Sequence, residues 1–433
     1  MNDRKTKIVA TIGPASSPPD MLRKLLMSGV DVVRLNFSHG EYDFYSSVIR
    51  TIRQLDRELG THTALLADLQ GPKLRIGEMA DGPIELKEGD ELVITTEQVK
   101  GRAGLVSTTY ALFPQDVKKG EFVLLDDGKL RLEVVKTDGQ KNVTTRVLNG
   151  GSLSANKGIN LPNTRVSLPS ITEKDRADLD YALEVDVDWV GLSFVRAARD
   201  LADLKRIIYS KGKRTRVVAK IEKPEALDDI DAIIQECDAL MVARGDLGVE
   251  IPAERVPLIQ KDLILRCLQH HRPVIVATQM MESMITNVSP TRAEVNDVAN
   301  AVLDHADAVM LSAETSVGKY PLEAVRMMDR ILTEMERSDE MFNVPERHVQ
   351  ASVKGRAVTD AICNAAVSIT DTMAVKAIVT MTHSGYTAFK ISSMRPRANI
   401  HAFTNNITIL TRLNLVWGVR AHYYDRNVGT DET

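Results

Sequence analysis

Eight short apolar runs, all but the first ending in polar or charged residues, recur along the chain: Lys7 to Ile12, Val32 to Ser38, Ala64 to Gln70, Trp189 to Arg196, Val217 to Glu222, Leu240 to Asp246, Pro273 to Gln279 and Ala308 to Glu314. Runs this short and this rich in Val, Ile, Leu and Ala suit strands buried on both faces of a parallel sheet. Segments of helical periodicity separate most of them: Asp20 to Ser28, Tyr42 to Leu59, Glu173 to Glu184, Ala198 to Ser210 and Val256 to His270. The alternation predicts a closed (β/α)8 TIM barrel, an α/β fold whose site is built at the strands' C-terminal ends. Those ends carry Arg34, Asn36, Ser38, Asp68, Ser193, Lys220, Glu222, Asp246, Thr278, Ser312 and Glu314. Each alone reads equally as a solvated strand end or an ion pair. A barrel needs no such set of polar groups for its stability.

The densest stretch runs from Arg216 to Gly248. Between its two strand runs, Pro224 to Cys237 carries Leu227, Ile230, Ile233 and Ile234 at helical spacing behind a first-turn proline. Side chains alternate along an extended chain, so Lys220 and Glu222 point the same way, as do Arg244 and Asp246. A right-handed crossover sets the two strand ends side by side and brings Glu222 near Asp246. Two carboxylates suit a hard divalent cation, and a lysine suits a transferring phosphoryl group.

One connection is too long for a barrel loop. Residues 71–165 hold hairpin signals (GDELVITT, EFVLLDDGKLRLEVV, QKNVTTRVLNGG) and little helical periodicity. They predict a β-barrel lid inserted after the third barrel strand, leaving 1–70 and 166–337 for the barrel itself. The lid offers Asp127, which also reads as a tight Asp-Gly turn, and Lys157. After a helix from Pro321 towards Arg337 and a junction in SDEMFNVPERHV, residues 338–433 read as a small α/β domain. It starts with a helix from Arg356 to Ile369 whose apolar face is Val358, Ala361, Ile362, Ala365, Ala366 and Ile369; strands follow at Val375 to Met381, Asn399 to Thr404 and Trp417 to Tyr424. Thr382, Ser384, Gly385 and Thr387 form either a phosphate nest or a plain capping turn. The chain ends in Thr430-Asp431-Glu432-Thr433, a good helix start with no helix behind it, which reads as a domain cut short.

With 433 residues, 43% hydrophobic, and a net charge of −4, the chain has no basic footprint for nucleic acid. No apolar run approaches the ~20 residues that span a bilayer, and the start, MNDRKTKIVATIG, does not read as a signal peptide. Cys237, Cys267 and Cys363 lie far apart in helical stretches, as buried thiols of a cytoplasmic protein do.

The blocks KIVATIGPAS, VVRLNFSHG, ADLQGPKLRIG, LLDDG, SFVR, AKIE, MVARGDLGVEIP, PVIVATQMMESM, PTRAEV and DAVMLSAET, in this order, resemble the pyruvate kinases along essentially the whole chain. The resemblance implies transfer of the phosphoryl group of phosphoenolpyruvate to ADP, giving pyruvate and ATP. By position it implies that Glu222 and Asp246 hold Mg2+ or Mn2+, and that Lys220, with Arg34 and Arg75, stabilises the moving phosphoryl group. Thr278 matches the residue associated with protonating enolpyruvate, and the backbone of Ala243, Arg244 and Gly245 would receive the substrate carboxylate. Asn36, His39 and Arg75 lie where the family meets nucleotide, with Lys157 and Asp127 from the lid. Asn36, Ser38, Asp68 and the carbonyl of Leu69 correspond to a monovalent-cation site. Where much of the family has a glutamate, this chain has Lys73, a combination resembling the potassium-independent branch. The expectation is that K+ is not required, because an ammonium group supplies the charge. A homotetramer is expected, with a phosphorylated effector at Thr382 to Thr387 as a family feature, although sugar-phosphate activation is not expected of a shortened domain. Two competing readings are another metal-dependent barrel enzyme acting on phosphoenolpyruvate or pyruvate, and a non-catalytic regulatory relative.

Overall fold

The computed structural model describes residues 4–342 and 355–425. Most of the expected junction and the helix start at Thr430 to Thr433 lie outside them. Eight parallel strands close into a barrel: Lys7–Thr11, Val32–Asn36, Ala64–Asp68, Trp189–Leu192, Arg216–Ile221, Ala239–Ala243, Val274–Ala277 and Ala308–Leu311. The first pairs with the eighth in the register Lys7↔Ala308, so no edge remains. Val9, Val32, Leu66, Trp189, Val218, Met241, Ile275 and Met310 fill the interior, and Leu415 from the C-terminal unit joins that cluster. Their neighbours in sequence, such as Ile8, Ala10, Val33 and Leu65, face the surrounding helices, which is why the strands read as unbroken apolar runs.

All eight strands stop short of the end of their sequence runs. Asp68 is the last residue of the third strand and Lys220 lies inside the fifth, but Ser193, Glu222 and Thr278 come just after their strands. Asp246 lies in the first turn of a helix, Arg244–Glu250, and Glu314 in another, Ala313–Ser316. The backbone leaves the ladder where it begins to build the site. The expected helix from Pro224 to Cys237 is two, Glu225–Asp228 and Ile230–Glu236. Asp229 marks the break, and its carboxylate accepts from Ala198 N at 2.8 Å.

The insertion forms a six-stranded sheet with a two-stranded sheet beside it, in effect a curled half-barrel. It has its own core, including Leu92, Ile94, Val123, Leu132, Val134, Val143 and Val147. In the strand Leu130–Thr137, Leu130, Leu132 and Val134 are buried in alternation, the mark of a sheet with one wet face.

The C-terminal unit has three parallel strands, Ala377–Met381, Asn399–Thr404 and Val419–Tyr423, joined by the helices Tyr386–Ser393 and Ile407–Arg412. It docks under the barrel through polar links. Lys5 Nζ reaches the carbonyls of Pro396, Arg397 and Ala398, and the buried Arg395 pairs with Asp307 at 2.9 Å. The helix Ala357–Thr372 packs on a different face from the one its sequence suggests. It buries Asp360, Cys363, Val367 and Thr370, while Val358 is 74% exposed. Val379, on the outer face of the sheet, is 65% exposed. Cys237, Cys267 and Cys363 are buried free thiols, and no helix among the described residues is long and apolar enough to cross a membrane.

Candidate active site

At the C-terminal mouth of the barrel, parallel register sets the second, third and fifth strands' polar ends close together. Asp68, 1% exposed, is the pivot. Its Oδ2 accepts from Arg34 Nε at 2.7 Å and lies 2.6 Å from Arg34 Nη2, while Arg34 Nη1 donates to Thr11 Oγ1. Lys220 Nζ lies 3.1 Å from Asp68 Oδ1, an ion pair whose direction is off the hydrogen-bond axis. The same ammonium is 2.9 Å from Glu222 Oε1 and donates to Ser193 Oγ at 2.6 Å. Ser193 passes the bond on to the carbonyl of Leu69 at 2.7 Å. The second oxygen of Glu222 accepts from Phe194 N, a residue held at φ 55.

Electrostatics keeps this cluster charged in a particular way. Burial works to lower the pKa of Lys220, but the charges of Asp68 and Glu222 outweigh it and the net shift is upward. Burial also works to raise that of Asp68, yet Lys220 and Arg34 carry it below the ordinary carboxylate value. Glu222 goes the other way. Burial raises it against the pull of Lys220, and the nearby charge of Asp246 adds to the rise. Two neighbouring carboxylates, one with its ionisation held back, make a place where a second cation is favourable. Among the described residues there is no group of three or more His, Cys, Asp or Glu for a metal. Glu222 and Asp246 are a pair of oxygen donors that would suit a hard ion such as Mg2+.

The nest after the sixth strand is tied to the seventh. Gly245 N donates to Thr278 Oγ1 at 2.7 Å, and that hydroxyl donates to Ala277 O at 2.6 Å. Of the three expected carboxylate-receiving amides of Ala243, Arg244 and Gly245, the last is thus already engaged. Thr278 holds φ 69, a costly conformation for a β-branched residue. The expectation that Arg244 and Asp246 share a direction fails, because both stand in a helix. Arg244 forks onto Asp297 with both contacts at 2.7 Å and reaches Thr278 O. Glu314 is spent on backbone, accepting from Met281 N and Ser312 N.

A cationic rim surrounds the turn after the second strand. Asn36 Oδ1 accepts from Ser38 N, and the Tyr45 hydroxyl holds the carbonyls of Asn36 and His39. The pKa of His39 is lowered by burial and then by Lys73, Arg75, Arg34 and Lys174 in turn, so these four charges converge near it. Arg75 Nη1 holds the carbonyl of Asn156 at 2.8 Å, and Lys157 pairs with Asp126 at 2.7 Å rather than with Asp127. Asp126 and Asp127, at φ 51 and 56, form the hairpin turn of LLDDG. Asp127 still lines a cleft under the insert with Lys73, Asn160, Arg196, Lys223 and Asp246. In the C-terminal unit, Gly385 N is bonded to Thr382 Oγ1 and Thr387 Oγ1 to Thr380, so the expected phosphate nest is internally satisfied.

Two residues here escaped the sequence reading as contributors: Ser193, named only as a strand end, and Lys223, whose partner Glu250 lies 27 residues further along the chain. SFVR gave the one usable signal, a hydroxyl at a strand end.

Known proteins resemble this chain along nearly its whole length. The family description "Pyruvate kinase, barrel domain" matches residues 3–325, and "Pyruvate kinase, alpha/beta domain" matches 360–433. The chain is 46% identical to the pyruvate kinase of Geobacillus stearothermophilus, over 96% of its own length and 71% of the relative's. It is 44% identical to pyruvate kinase 2 of Synechocystis, over 96% and 70%, and 44% identical to the pyruvate kinase of Mycobacterium tuberculosis, over 99% and 89%. The crystal structure of a pyruvate kinase from Cryptosporidium parvum superposes with a TM-score of 0.92 at 37% identity, covering 99% of this chain and 89% of that one.

Proposed function

The chain belongs to the pyruvate kinase family, and on that premise we propose how its residues share the transfer of the phosphoryl group of phosphoenolpyruvate to ADP, giving pyruvate and ATP. It is a phosphotransferase of glycolysis. The proposed division of labour gives chemistry to residues 1–70 and 166–337, coverage to 71–165 and control to 338–433.

Such transfer is mostly positioning and electrostatic stabilisation. Lys220 meets the negative charge of the moving phosphoryl group, with Arg34 and Arg75 adding to the field. Glu222 and Asp246 would hold the divalent cation, Mg2+ or Mn2+, which when bound neutralises phosphoryl oxygens. The backbone at Ala243, Arg244 and Gly245 receives the substrate carboxylate, with Gly245 N exchanging its bond to Thr278. The Thr278 hydroxyl, released from that bond, is one end of a water-borne proton path to the enolpyruvate carbon. Asn36, His39 and Arg75, with Lys157 and Asp127 from above, receive the nucleotide and its phosphates. The observation that supports this most is Lys220, buried yet held charged between Asp68 and Glu222 beside Asp246.

Potassium independence is the finer reading. Lys73 bears on His39, next to Asn36 and Ser38, and the Asp68 carboxylate is occupied by Arg34 and Lys220. Both favour a protein-borne charge over a bound monovalent ion at Asn36, Ser38, Asp68 and Leu69. The test follows ATP formation from phosphoenolpyruvate and ADP with Mg2+, once with K+ and once with a bulky organic cation at matched ionic strength. Equal rates are expected. Activity only with K+ discards the role of Lys73, and no ATP in either buffer refutes the assigned transfer. A cytoplasmic homotetramer, with a phosphorylated effector displacing the internal bonds at Thr382, Ser384, Gly385 and Thr387, completes the proposal; sedimentation and a phosphate-ester titration decide those two points.

A further inference from the structure

One buried acid at the barrel mouth has no part in the transfer as described. Glu250, 5% exposed, is the last residue of the helix Arg244–Glu250, whose first turn carries Asp246. Its Oε1 accepts from two directions. Lys223 Nζ, on the residue directly after Glu222, lies at 2.6 Å, and Asn160 Nδ2, on the insert strand Ile159–Asn160, lies at 2.9 Å. Its Oε2 is buried with no hydrogen-bond partner. Both of its partners line the cleft under the insert, whose charged groups are Lys73, Asp127, Arg196, Lys223 and Asp246.

Glu222 and Asp246 stand on different elements, so their separation depends on how the seven-residue helix sits against the end of the fifth strand. The Lys223–Glu250 pair pins the far end of that helix to that strand end. The near end of this short helix follows directly from the strand Ala239–Ala243, so with Glu250 held by Lys223 both of its ends are fixed. Asn160 reaches the same oxygen only while the insert lies over the mouth, so one acceptor reads two positions at once. The geometry points to Glu250, held by Lys223, as a positioning residue that sets the spacing of Glu222 and Asp246 and, through Asn160, couples that spacing to closure of the insert. This rests on the reading of Glu222 and Asp246 as the divalent-cation ligands.

The test uses the full chain with Mn2+ as the probe, comparing Asn160→Asp and Asn160→Ala with the unaltered protein. Mn2+ binding is followed by water-proton relaxation, turnover by ATP formation, and folding by thermal midpoint. An aspartate at 160 sets a carboxylate against Glu250, so at pH 8 kcat falls about tenfold and Mn2+ binds several-fold more weakly with ADP present, at an unchanged midpoint. Asn160→Ala removes the hydrogen bond to Glu250 without adding a charge, and gives the smaller loss of the two. Wild-type kcat and Mn2+ affinity in both variants overturn the coupling. Glu222→Gln separates the two levels of inference. If it binds Mn2+ normally, the cation-site reading fails and this coupling with it; if Mn2+ binding is lost there yet untouched in both Asn160 variants, only the coupling fails.

Discussion

Replacing Lys220 with methionine separates catalysis from cation binding. The ammonium lies 2.9 Å from Glu222 Oε1 and 3.1 Å from Asp68 Oδ1. At an effective dielectric constant near 20, the closer pair alone is worth about 6 kcal/mol of gross attraction, much of it offset by desolvating both ions. Asp68 keeps Arg34 as its partner, so the loss falls mainly on Glu222. Without Lys220 its carboxylate loses a competing cation, so Mn2+ should bind at pH 8 as tightly as before or tighter. Below neutral pH the order reverses. Burial and Asp246 already hold the Glu222 carboxyl above its ordinary range, the missing ammonium raises it further, and a protonated carboxyl does not bind metal. Turnover should meanwhile fall on the order of 10³-fold, about 4 kcal/mol, the scale of one lost charge-stabilising donor. The assay is steady-state kinetics beside a Mn2+ titration at pH 6, 7 and 8. Loss of Mn2+ binding in step with turnover at pH 8 would refute the reasoning, because Lys220 would then be scaffolding for the cation site.

Thr278→Ser keeps the hydroxyl between Gly245 and Ala277 while relieving a β-branched residue at φ 69, so turnover should stay within a few-fold. Thr278→Ala should cost ~10–100-fold in kcat, in the range of a general acid–base contribution, and near-normal turnover in that variant would remove Thr278 from the proton path. Where the C-terminal unit meets the barrel, His271 accepts from Lys390 at 2.9 Å, and burial followed by that ammonium lowers its pKa to about 4. A depressed histidine contributes stability that is complete above the unfolded value near 6.5 and lost as pH falls towards 4, about 1 kcal/mol between pH 7.5 and 5.5. His271→Gln should flatten that dependence in the urea midpoint of the C-terminal unit; equal pH sensitivity in both proteins would rule His271 out.

The barrel was legible because each strand is a run of apolar residues buried on both faces, a pattern that local sequence fully contains. Alternation also placed Lys220 beside Glu222, since the chain stays extended that far. It misplaced Arg244, where the strand gives way to a helix and the guanidinium turns to Asp297. The docking face of Ala357–Thr372 was misread for another reason. Small apolar residues occupy most of its circumference, and the covered side is set by distant neighbours, among them Ile378, Ala388 and Ile391. Glu250 was invisible because neither Lys223 nor Asn160 shares a local pattern with it.

The closed sheet also has a bearing on how the chain assembles. Leu66 pairs with Trp189, and between them lie the whole insertion and its separate core. Bringing such distant strands together in a disordered chain costs loop entropy before any contact repays it. If the half-barrel collapses first on Leu92, Val123, Leu132 and Val143, the ends at Leu69 and Ile171 are already near one another and the remaining search is short. The cover of the active site would then double as an internal folding clamp, and mutations in its core would slow closure of a barrel they never touch.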